Sequence, residues 1–121
     1  MTRAMILTLG MVAGLIATLG PLSQARAANG YPTEAIADYV LGCMAANGQT
    51  QEALRRCSCS IDVVSSLLTY EDYSEAETVL RMRQVPGGGE KMQVFRETPV
   101  SQARVDALRQ SQVEAEVRCF Y

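Results

Sequence analysis

The chain has 121 residues, 11 basic and 13 acidic, and neither histidine nor tryptophan. The missing histidine excludes Ser-His-Asp and Cys-His catalysis, imidazole zinc sites and haem attachment through C-x-x-C-H. A mildly acidic balance with no basic block argues against nucleic acid or an anionic membrane as partner.

The N-terminus reads as a leader. Arg3 is followed by an apolar run from Ala4 to Leu19, then Gly20 and Pro21, then the small residues Ala25 and Ala27 around Arg26. A basic start, an apolar core and an A-x-A site are the parts of a secretory signal peptide. Cleavage is expected after Ala27, which divides the chain into a signal peptide, residues 1–27, and one domain, residues 28–121. Loss of Arg3 and Arg26 leaves nine bases against 13 acids, a net charge of −4 on 94 residues. The apolar run is shorter than the roughly 20 residues a helical span needs, so no membrane association is expected after cleavage. The expected location is the periplasm or the secreted space. A domain this small has a marginal core and commonly needs covalent staples.

Gly30-Tyr31-Pro32 reads as an extended lead-in, and Thr33 as the N-cap of a first helix, about Thr33 to Ala46. Ile36, Tyr39, Val40, Cys43 and Met44 recur at helical spacing, and Asn47-Gly48 is a stop signal. Thr50 caps a second helix, about Gln51 to Leu68, striped by Leu54, Cys57, Ile61, Val64 and Leu68. The short connection makes these two an antiparallel hairpin. Thr69 with Asp72 forms a capping box for a third helix ending near Gln84, before Pro86 and Gly87–Gly89. The glycines lack phosphate-loop spacing and read as a flexible connector. A short turn of helix is expected over Lys91 to Arg96. Thr98-Pro99 then starts a long helix to about Arg118, with Val100, Ala103, Ala107, Leu108, Ala115 and Cys119 as its apolar positions. The expected fold is all-α: a disulfide-stapled helical hairpin plus two further helices, resembling a four-helix bundle.

Cys43, Cys57, Cys59 and Cys119 are the only cysteines. Four in a small exported chain imply a disulfide framework. Cys43 lies about 7–8 Å before the hairpin turn and Cys57 about 10 Å beyond it, at about 1.5 Å per residue. Cys59 lies farther out and points roughly 200° away from Cys57 at about 100° per residue. A bridge needs Cα atoms within about 7 Å. The expected pairs are therefore Cys43–Cys57 and, by remainder, Cys59–Cys119. The alternative is a working C-x-C at Cys57 and Cys59, making the chain a thiol-disulfide redox protein.

Two further sites are readable. Glu71, Asp72, Glu75 and Glu77 gather at the start of the third helix, and Glu71, Asp72 and Glu75 share faces at i, i+3 and i, i+4. Such oxygens suit a hard cation, calcium or a lanthanide, while acids there also complement the helix dipole. Tyr70 and Tyr73 beside them read either as core-edge residues or as a contact surface.

The blocks Tyr39-Val40-Leu41-Gly42-Cys43-Met44-Ala45-Ala46-Asn47-Gly48, Cys57-Ser58-Cys59-Ser60-Ile61-Asp62, Glu75-Ala76-Glu77-Thr78 and Ala115-Glu116-Val117-Arg118-Cys119-Phe120 resemble a family of small secreted four-cysteine proteins. That family is associated with quinoprotein (PQQ-dependent) alcohol dehydrogenase systems of the periplasm. The resemblance implies an accessory or binding protein, with the metal those dehydrogenases use as a candidate ligand, and carries over no catalytic residue. The leading expectation is a non-enzymatic periplasmic accessory protein whose partner is another periplasmic protein.

Overall fold

The computed structural model describes residue 27 and residues 29–121, with Phe95 through its backbone. The signal-peptide reading of residues 1–27 falls, but for Ala27, outside the described residues. These form five helices: α1 (Thr33–Asn47), α2 (Gln51–Leu67), α3 (Tyr70–Gln84), α4 (Gly89–Arg96) and α5 (Pro99–Phe120). The all-α expectation holds, and among the described residues no helix is long and apolar enough to cross a membrane.

The helix ends follow from local chemistry. Thr50, Thr69 and Thr98 each accept a hydrogen bond from the backbone N–H three residues on, at 3.0, 3.2 and 3.2 Å. The Thr69 hydroxyl also donates to the Asp72 carboxylate at 2.8 Å. Thr33 is not a cap: Pro32 takes that position in extended conformation, and Thr33 is the first helical residue. Gly48 ends α1 at φ 103°, a left-handed region that a Cβ disfavours. The glycine-rich connector is shorter than expected, because Gly88, at φ 95°, caps α4 and Gly89 already belongs to it. Arg96 donates to the carbonyls of Val85 and Gly87, both at 3.2 Å, and fastens the connector to α4.

Four long helices make the body. α1 packs on α2, α2 on α5, and α5 on α3. Three seams of a four-helix arrangement are thus closed, and the fourth, between α1 and α3, is open. The core lies where α2, α3 and α5 meet, around Ile61, Val64, Tyr73, Ala76, Leu108 and Ala115. Tyr31 plugs it from outside any helix and is fully buried. Its hydroxyl donates to the carbonyls of Leu68 and Thr69, at 3.2 and 3.4 Å, at the α2–α3 corner.

The apolar stripes need two corrections. Leu54 is exposed, and Ala53 and Ser60 join Cys57, Ile61 and Val64 on the buried face of α2. On α5, Val100 and Ala103 face outward, and the buried row is Ser101, Val105, Leu108, Ser111 and Ala115. Serine serves in a tight seam because it is small and bonds back to its own helix: Ser111 donates to the Leu108 carbonyl at 2.7 Å.

Both disulfides pair as expected. Cys43–Cys57 has its Cα atoms 5.7 Å apart, and Cys59–Cys119 has them 5.9 Å apart. The first fastens α1 to α2, and the second fastens the end of α5 to α2. The first matters most locally, because α1 has no fully buried residue.

Candidate binding groove

The open seam between α1 and α3 forms a concave groove. α1 contributes Asp38, Tyr39 and Leu41, and α3 contributes Tyr73 and Glu77. Ser60 of α2 and Glu116 and Phe120 of α5 complete it, around a cavity of about 580 Å³. A second cavity of about 400 Å³ continues along the seam to Glu34, Tyr70 and Arg81, sharing Asp38, Tyr73 and Glu77 with the first.

Tyrosines line its inner wall. Tyr31 stacks edge-on against Tyr70 and tilts against Tyr73, each with ring centroids 5.3 Å apart. Tyr39 meets Tyr73 across the seam at 6.4 Å, and its hydroxyl shares a 2.8 Å hydrogen bond with Ser60. The contrast between core edge and contact surface thus dissolves for this pair. Tyr73 is buried and Tyr70 half-buried, yet each gives an edge to the groove.

Burial governs the phenols. It is the main cause that pushes Tyr31 up to about 12, with Asp72 and Tyr70 adding to it. Tyr73 is raised further from its ordinary value, first by burial and then by Glu77. Tyr39 is also raised by burial, partly offset by its Ser60 bond, with Glu77 adding to the rise. Neutral phenols are therefore favoured by the fold. An unfolded chain releases these protons near pH ~10, so their contribution to stability is complete below that pH. It is lost as pH rises from ~10 through the raised values, because the unfolded state then binds fewer protons. Alkaline titration is expected to show tyrosinate absorbance from these residues rising together with loss of helical dichroism. Full ionisation of every tyrosine with the helices intact would contradict this.

The acidic start of α3 is arranged differently from a cation site. Arg104 of α5 pairs with Asp72 and reaches Glu75 at 2.9 Å. Glu71 stays exposed. A guanidinium of the chain thus stands between two of the three carboxylates expected to hold calcium or a lanthanide. Among the described residues, no group of three or more His, Cys, Asp or Glu side chains is arranged to hold a metal ion. The Arg104 pairs are partly exposed, so each is worth no more than about 1 kcal/mol. All four cysteines are in disulfides, and the described residues include no free thiol.

The groove residues Asp38, Tyr39, Ser60 and Glu116 are not evident from sequence. A partial signal exists in Tyr73, Glu77 and Arg81, which form one i, i+4 row on α3. Comparison of the chain with family models, curated proteins and solved structures found no match.

Proposed function

We propose that the chain is a non-enzymatic accessory protein of the periplasm or secreted space, and that it binds another exported protein through the α1–α3 groove. One observation carries this reading: in a bundle closed on three seams and stapled twice, the fourth seam stays open and presents aromatic rings and carboxylates to solvent. The chemistry available there favours binding. Ser60 bonds to a neutral phenol, which is a poor proton acceptor and does not activate a nucleophile. The disulfides suit an oxidising compartment. The resemblance to proteins of quinoprotein alcohol dehydrogenase systems would make the partner a member of such a system, and it rests on the four sequence blocks alone.

Position-specific crosslinking tests the reading. Leu41 stands on the groove's lip at 64% exposure, and Val113 is as exposed, at 61%, on α5 outside it. A photo-crosslinking residue at position 41 of the exported protein is expected to give a discrete protein adduct that position 113 does not. No adduct from position 41, or the same adduct from both, would reject the groove as the partner surface.

A further inference from the structure

Carboxylates outnumber basic groups in the groove. Asp38, Glu77 and Glu116 reach the first cavity from three different helices, and among the described residues no lysine or arginine lines it. Glu34 adds a fourth carboxylate in the second cavity, where Arg81 is the basic residue. Arg81 donates to Asp38 at 2.8 Å and lies 3.7 Å from Glu77. The chain's own guanidinium therefore marks a seat that suits a cation. Its hold is weak, since Arg81 and Asp38 are 69% and 67% exposed. A second guanidinium, Arg56, lies 5.9 Å over the ring of Phe120, a residue that lines the cavity. Tyr39 and Tyr73 also line the cavity.

Shape narrows the ligand. The two cavities share Asp38, Tyr73 and Glu77, and they form an open trough rather than an enclosed pocket. A trough accepts an extended chain whose side chains meet successive acidic positions. We infer that the groove receives an extended segment of the partner protein bearing lysine or arginine. Its basic side chains would take the place of Arg81 at Asp38 and Glu77 and reach Glu116. This rests on the groove being the partner surface and assigns the chemistry of what it receives.

Fluorescence anisotropy with a labelled lysine–alanine peptide, and a glutamate–alanine peptide for comparison, tests the inference on the exported protein. The basic peptide is expected to bind saturably, one per chain, and more weakly as salt is raised. The acidic peptide is expected not to bind. The double variant Glu77→Gln, Glu116→Gln should weaken binding about tenfold, which corresponds to about 1.4 kcal/mol. Asp62→Asn, Asp106→Asn makes the same change in charge at exposed positions outside the groove and should leave binding unchanged. Arg81→Gln should strengthen it, because it frees Asp38 and Glu77. The last result is the more telling, since a merely structural role for Arg81 predicts the opposite sign. Absence of basic-peptide binding by both the wild type and Arg81→Gln overturns the inference, as does equal weakening by the two double variants. Saturable spermidine binding without peptide binding would assign the groove to small amines and overturn it as well. If position 41 still crosslinks a partner while the peptide fails, the basic class is wrong and the groove stands. If position 41 gives no adduct, the groove itself is wrong.

Discussion

Replacing Cys59 and Cys119 together by alanine is expected to lower the free energy of unfolding by about 4 kcal/mol. The bridge spans a sequence separation of 60 residues, and closing so long a loop removes much freedom from the unfolded chain. It also holds the end of α5 on α2, the seam around which the core is built. A loss of this size is a large share of the net stability of a small domain. Urea unfolding should show a global shift of the midpoint. The Cys43→Ala, Cys57→Ala pair should behave differently. That bridge spans a separation of 14, and α1 buries no residue completely. The loss should be about 3 kcal/mol, with local opening of α1 preceding global unfolding. Hydrogen exchange should accelerate in residues 33–47 while α2, α3 and α5 stay protected. Uniform acceleration through all helices would contradict the view of α1 as a strap held by its disulfide.

Tyr31→Ala should cost about 3–5 kcal/mol, as truncation of a buried aromatic does. Tyr31 is fully buried, contacts the rings of Tyr70 and Tyr73, and bonds to the carbonyls at the α2–α3 corner. Tyr31→Phe keeps the packing and loses only those two long hydrogen bonds, a cost of about 0.5–1 kcal/mol. Leu54→Ala is the matched comparison, because Leu54 is 37% exposed. Thermal or urea unfolding of the three variants should rank Tyr31→Ala well below the other two. A Tyr31→Ala protein as stable as Leu54→Ala would show that the lead-in before α1 does not complete the core.

Tyr31 also marks where sequence reasoning stops. Gly30-Tyr31-Pro32 has no periodicity, so nothing local distinguishes a tyrosine that leads into a helix from one that plugs a bundle. The same limit explains α5. Its inward row includes Ser101 and Ser111, and an apolar stripe is a poor guide where close approach of helices favours small polar residues. By contrast, the caps at Thr50, Thr69 and Thr98 were legible because each depends on a few neighbouring residues. The disulfide pairing was legible because the length of the hairpin arms places Cys57 across from Cys43, leaving Cys59 for Cys119. The groove was not. It exists because one of four seams is open, a property of how α1 and α3 sit across the bundle, and Asp38, Glu77 and Glu116 belong to separate helices. The acids that stand out in sequence, Asp72 and Glu75, meet Arg104 from 32 and 29 positions away, a pairing that no local pattern announces.

The four cysteines are scaffold, and we propose that function lies on the groove of an exported domain. Intact mass of the exported protein, alkylated before and after reduction, tests the first half directly and the export with it. The expected result is the mass of residues 28–121 with no cysteine alkylated before reduction and all four alkylated after. Two cysteines alkylated before reduction, or a mass that retains residues 1–27, would contradict it.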